Sequence, residues 1–500
     1  MARKMSNTPE VKLGIVGVSR DCFPVSLTRG RLEALVREVK SQGLAPVKCS
    51  VVIENEKDAL QALAELAQKN CNAAVVFLGN FGPEGPSSLF AQRFPGPVMV
   101  CAAAEENRQV LLKDRGDALC GLLSLSYNLG LRGVRAYIPE RPVGLPAELA
   151  VEIKDFEAIA RVVLGAQNLK IFSFGPRPQD FFTCHAPLQP LFDLGVEVME
   201  NSELDLLQLF RKAGDQKDRV NAVAREMKKE LGKGASYPEL LPRLAQFEVA
   251  LLDFMEQNLG AAKFAVFANK CWPAFESEFG FVPCYVNSRL AGKGIPVACE
   301  VDLYGALSEY LVQLAALSPA TILDVNNTVP EDLIPKAADL KGASRRDLFM
   351  AFHCGNTSSM CMKDFRMSYQ LIMNRLMEQG REPEITRGTL EGQLASGPVT
   401  LFRIHSRPDC RLAAYLAEGY VLDLAPGTFG GTGVVAIPGF ARFYRHILVG
   451  KQFPHHAALG FQKTGRIIFE ALKLLGINEV ATPLPERMLY QTENPFARSD

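Results

Sequence analysis

The chain has 500 residues, 48% apolar and 22% charged, with 55 basic and 55 acidic side chains. That length exceeds one simple core and asks for several domains. Balanced charge, with no long block of one sign, leaves nucleic acid no electrostatic footprint.

No apolar run reaches the length of a membrane span; the strongest, residues 71–78, is strand-sized. Residues 1–11 are polar and mixed in charge, unlike a signal peptide, so a soluble cytoplasmic protein is expected. Twelve cysteines are scattered with no CxxC pair, which argues against a zinc ribbon or a thioredoxin motif. Most should be buried reduced thiols.

In chain order, residues 12–18 read as a buried strand, 27–42 as a helix ended by Gly43, and 47–53 as a strand. Residues 56–69 read as a helix, 73–78 and 97–101 as strands. This is the alternation of a doubly wound parallel sheet. Gly14-Ile15-Val16-Gly17-Val18 lacks the third glycine of a dinucleotide fingerprint. Arg20, Arg29 and Arg31 follow the first strand and are either solvated or face a ligand in a neighbouring subunit.

The pattern restarts after Leu164, with strands at 170–175 and 195–199 and helices through Leu251 and beyond. Residues 295–300 and 321–325 are short apolar runs ending near Glu300 and Asp324, with a helical stretch, 303–317, between them. Strand, helix, strand suggests a parallel crossover unit with both carboxylates at one carboxyl edge. Two close carboxylates repel, so a metal ion or a shared proton would stabilise them.

Past Pro330 the texture changes to short strands at 388–392, 397–404 and 420–424, with Gly and Pro turns, then a helix at 462–475. The glycine-dense run 427–433 reads as a turn between strands. The fold class is therefore α/β: two doubly wound parallel-sheet domains (11–166 and 167–318) and a β-rich, antiparallel barrel-like C-terminal domain (319–500).

Histidine is scarce, six in the chain. His455 and His456 are adjacent in a predicted loop. On an extended segment only one of them would face a given site. They read either as solvated surface groups or as one imidazole completing a carboxylate metal site. His353-Cys354-Gly355-Asn356 reads as a polar ligand lining or a self-satisfied turn.

Several segments then agree in order and spacing with one family. They are Cys271-Trp272-Pro273 with Phe279-Gly280 and Pro283-Cys284, Gly294 through Glu300-Val301-Asp302, and Leu323-Asp324-Val325-Asn326-Asn327. Phe352-His353-Cys354-Gly355-Asn356 and Gly388 through Thr400 complete the set. The chain resembles the L-fucose/L-arabinose isomerase family, its fucose-isomerase branch most closely. The resemblance implies three domains, a homo-oligomer (hexamer or trimer), and aldose–ketose interconversion of a sugar by an ene-diol route with Mn²⁺ or Mg²⁺. It implies Glu300, Asp324 and His456 as metal ligands, with Glu300 and Asp324 also the catalytic acid–base pair. Asn269, Trp272, His353 and Asn356 would line the sugar. Asn269 departs from the branch, which has glutamine there. A cytoplasmic sugar-binding or sensing protein, or a metal-dependent aldolase on the same scaffold, stays open from the residues.

Overall fold

The computed structural model describes residues 7–113 and 115–496, so residues 1–6 of the polar N-terminal stretch lie outside the described part. The chain forms two compact units. Pro9–Leu164 with Arg466–Asn478 make one; Gly165–Gly465 with the terminal residues make the other.

The first unit holds β1 (Leu13–Val18), β2 (Val47–Ile53), β3 (Ala73–Leu78), β4 (Val98–Ala103) and β5 (Val143–Gly144). They form a parallel sheet in the order β2-β1-β3-β4-β5. Every residue of β1, β3 and β4 is buried, which is why these strands are uninterrupted apolar runs in the sequence. Helices Val25–Ser41 and Glu56–Gln68 lie where their periodicity predicts. The second opens on a capping box between Asn55 and Asp58. Arg31 is not solvated: it is 4% exposed and bonded to Glu105, Glu106 and the Gly79 carbonyl. Two carboxylates neutralise the guanidinium, which makes its burial tolerable.

The second unit begins with β6 (Leu169–Phe174), β7 (Glu197–Asn201), β8 (Phe264–Ala268) and β9 (Val297–Ala298). They pair in parallel in the order β7-β6-β8-β9. Among the described residues nine further strands follow: β10 (Ala320–Asn327), β11 (Leu348–His353), β12 (Met362–Tyr369), β13 (Arg387–Leu394), β14 (Gly397–Ser406), β15 (Leu412–Leu422), β16 (Gly431–Ala436), β17 (His456–Gly460) and β18 (Val480–Ala481). Six of them close a ring, β16-β11-β10-β17-β14-β15 and back to β16, with every pair antiparallel. This is the barrel-like C-terminal region the sequence predicts. β13 and β18 extend the sheet through parallel pairings to β16 and β15.

Helix Leu303–Ala316 is buried along its whole length. It packs on β14 and β17 of the barrel and on β8 of the parallel sheet. A helix apolar on nearly every face belongs in an interior. Gly460 marks how close it comes, since a Cβ there would sit 2.2 Å from Val312 Cγ1.

The crossover reading is corrected here. β9 belongs to the parallel sheet, whereas β10 lies in the barrel, antiparallel to β11 and β17. β9 is two residues long, and the chain leaves the sheet at a 3-10 turn, Cys299–Val301. The helix then carries it into a different sheet. All twelve cysteines are free and eight are buried. No described helix is long and apolar enough to cross a membrane.

Candidate active site

Glu300 sits in the turn after β9 with φ 57° and ψ 26°, and Val301 follows with φ 56°. Left-handed backbone costs an L-residue about 1–2 kcal/mol. Backbone bonds hold it: Val301 N–H donates to the Asn269 carbonyl at 3.0 Å, and Asn269 N–H to the Ala298 carbonyl at 3.1 Å. The turn swings the Glu300 side chain out of the parallel sheet toward the barrel, where its Oε2 lies 3.2 Å from His456 Nε2. Trp272 donates its indole N–H to Oε1 at 3.3 Å.

Asp324 and His456 come from paired barrel strands and are direct register partners. Asp324 Oδ1 is 3.6 Å from His456 Nε2. Two carboxylates and one imidazole nitrogen therefore converge, as the sequence reading grouped them. His456 is the first residue of β17 and is buried, not a solvated loop residue.

His455 is also present. It sits in a bend before β17, so strand alternation does not turn it away. Its Nε2 lies 3.8 Å from Asp324 Oδ1, and its ring is 4.4 Å from that of His456 between centroids. The expectation that only one of the pair faces the site is thus corrected. Ligand atoms of Glu300, His455 and His456 all fall within 4.8 Å of one another.

The other predicted residues divide. Trp272 is in the site through Glu300. His353 is buried, with its ring 6.4 Å from that of His456. Asn269 is buried and its amide forms two 2.9 Å bonds with the Asn287 amide, so its visible part in the site is the backbone carbonyl that brackets Glu300. Asn356 donates to the Val297 carbonyl at 2.7 Å and ties the barrel to β9.

Sequence reasoning did not single out four neighbours. Asp302, two residues after Glu300, accepts from His456 Nδ1 at 2.8 Å and from both Nη atoms of Arg403 at 2.6 and 2.9 Å. The signal for Arg403 was one charge inside the apolar run 399–404. Cys184 Sγ lies 3.8 Å from His456 Nδ1. Phe181 packs edge-on against Trp272 and His455. The loop carrying these two has no pattern that points to a site.

The electrostatics split the carboxyls. Burial pushes Glu300 up, but the hydrogen bond and charge of His456 outweigh it and leave the group below its usual range. Burial raises Asp324 to about 7, helped by the Glu300 charge and opposed by His456. The Asp324 side chain keeps 21% exposure, so water reaching it tempers that rise. Burial favours a neutral His456, yet hydrogen bonds to Asp302, Cys184 and Glu300 hold it well above the usual imidazole range. Burial, with the His456 charge adding to it, lowers His353 and His455 to about 4 each. A cavity of about 850 Å³ lined by His185, His405, Arg407 and Lys451 contains neither Glu300 nor Asp324.

Two family models match the chain: fucose/sulfoquinovose isomerase, N-terminal domain, over residues 14–167, and L-fucose isomerase, C-terminal domain, over residues 351–481. Together they match more than half of it. The chain belongs to the fucose/sulfoquinovose isomerase family. The curated relatives it matches include sulfoquinovose isomerases from Alkalicoccus urumqiensis (27% identical over 300 residues), Priestia aryabhattai (24% over 297) and Clostridium sp. strain MSTE9 (26% over 305). The matched stretch covers 58%, 58% and 59% of this chain and 60%, 59% and 61% of those proteins. His353, Asn356, His455 and His456 fall inside the C-terminal family match, whereas Glu300 and Asp324 lie between the two matches.

Proposed function

We propose that this family member is a metal-dependent aldose–ketose isomerase acting on a sugar by an ene-diol route. The observation that carries the reading is the convergence of Glu300 Oε2 and Asp324 Oδ1 on His456 Nε2, at 3.2 and 3.6 Å. Two carboxylates and one imidazole suit Mn²⁺ or Mg²⁺ better than softer metals. Glu300, Asp324 and His456 would hold the ion, with His455 at the margin. When bound, it supplies Lewis-acid polarisation of the sugar carbonyl.

The protein's own groups then divide the proton work. Glu300 is the ionised carboxylate, aimed by the Trp272 indole, and serves as base toward the carbon-bound proton beside the carbonyl. Asp324, the second carboxyl at the site, moves a proton between the sugar oxygens or returns one to the adjacent carbon. Phe181 packs its ring edge-on against Trp272 and His455 on this side of the site. His353 and Asn356 support the sugar-facing wall, and Asn269 supports the Glu300 turn from behind.

Sulfoquinovose heads the substrate panel because the relatives carry that name; L-fucose follows from the family descriptions, and L-arabinose from the resemblance noted in the sequence. The reading includes a cytoplasmic homo-oligomer and the three domains 11–166, 167–318 and 319–500. The test is incubation with Mn²⁺ or Mg²⁺ and each sugar, with products identified by NMR. A ketose from one aldose supports the proposal. Binding without turnover would point to a sugar-binding protein, and cleaved fragments to an aldolase.

A further inference from the structure

We infer that Asp302, braced by Arg403, is the positioning residue that fixes the His456 ring so that its Nε2 faces Glu300 and Asp324. The inference rests on the proposed reading of that site. The Asp302 Oδ2 to His456 Nδ1 distance is 2.8 Å, and the two side chains are 2% and 1% exposed. An ionised carboxylate only accepts, so Nδ1 bears the proton and Nε2 is the nitrogen presented to the acidic cluster.

Asp302 cannot swing away. Arg403 grips both of its oxygens in a fork, and the Gly305 N–H donates to Oδ1 at 2.8 Å at the start of the central helix. Arg403 is 0% exposed and is among the largest fully buried side chains of the chain. Among the described residues its Nε has no hydrogen-bond partner, and its Nη2 lies 3.4 Å from His405 Nδ1. A buried ion pair is an inefficient way to stabilise a core, since well-packed apolar residues of the same size often do as well or better. The stronger rationale is directional. The fork sets the carboxylate plane, the carboxylate sets the imidazole, and the imidazole points into the site. Cys184, 3.8 Å from Nδ1, is too weak an acceptor to take over.

Two variants test this. Asp302→Asn puts an NH₂ against donors that need an acceptor. Asp302→Ala combined with Arg403→Met removes both buried charges, so a folded protein is available even if the single variant unfolds. With the six histidines labelled with ¹⁵N, the metal-free wild type is expected to show one low-field, slowly exchanging Nδ1–H proton that His456→Gln and both variants lose. Titration calorimetry with Mn²⁺ alone is expected to show affinity weakened about 10- to 100-fold in the folded double variant. An unchanged Mn²⁺ affinity there, or a wild type lacking that proton signal, overturns the inference. A wild type that shows the proton but binds no Mn²⁺ would instead sink the metal-dependent reading while leaving the orientation of His456 supported.

Discussion

Asp324 and His456 stand opposite one another in the β10–β17 ladder, and their side chains bring Oδ1 and Nε2 to 3.6 Å. A cross-strand pair is the shortest structural route between two residues distant in sequence, because antiparallel register sets the spacing of side chains on one face. Glu300 reaches the same nitrogen from the other sheet through a left-handed turn. Half of the acid cluster is thus set by strand register and half by a strained turn.

Replacing Glu300 by Gln is expected to leave the fold intact and to lower the isomerisation rate by about 10²-fold or more, through loss of the base. Steady-state kinetics beside a circular dichroism melt check this. Turnover within a few-fold of wild type would refute the base assignment.

Trp272→Phe keeps an aromatic ring but removes the N–H that reaches Glu300 Oε1. That bond favours the ionised carboxylate, so its loss should raise the Glu300 pKa and move the acidic limb of the pH–rate profile to higher pH. A drop of roughly 3- to 10-fold in kcat/KM is expected, in line with about 1 kcal/mol for one hydrogen bond. An acidic limb that stays in place would contradict this role.

Metal binding should register as stability. A ligand at 100 times its Kd adds about 2.7 kcal/mol to the native state. Differential scanning fluorimetry is expected to show Tm rising with added Mn²⁺ and returning to baseline with chelator. His456→Ala should abolish the rise, and a rise that survives the substitution would place the ion elsewhere.

Glu276 gives a prediction outside the site. It is fully buried, and its carboxylate meets only its own backbone N–H and the weak Cys271 thiol among the described residues. Burial raises it to about 8 from the ordinary 4.5. The folded chain therefore keeps a proton that the unfolded chain releases, and stability falls as pH climbs from about 4.5 through about 8. Glu276→Gln cannot ionise. Relative to wild type, it should be more stable at pH 8 than at pH 5 by a few kcal/mol, on the order set by 1.36 kcal/mol per pKa unit. Urea unfolding at both pH values decides it, since an equal difference at each would mean the carboxyl does not titrate this way.

How much was legible before folding depended on how local the signal was. β3 is legible at its observed limits, 73–78, because a parallel strand buried on both faces is a continuous apolar run, and the edge strand β2 at 47–53 is legible from its valines and isoleucine although it is only part-buried. The fully buried helix 303–316 was equally plain from its composition. The residues alone pair Glu300 with Asp324 and leave the imidazole open; the family resemblance adds His456, and the chain does bring the three together. Sheet membership was not legible. β9 and β10 look like one crossover unit, yet a strand of two residues carries too little pattern to declare its partner, and pairing is decided by contacts distant in sequence. The Asp302–Arg403 fork was hidden for a related reason. A buried ion pair leaves no periodicity, only one acid and one base that look ordinary until the start of the buried helix and a barrel strand place them 2.6 Å apart. The positions of the long, strongly apolar strands and helices follow from hydrophobic pattern alone; which carboxylate meets which imidazole, and what holds the ring in place, is decided by the packing of the barrel against the parallel sheet.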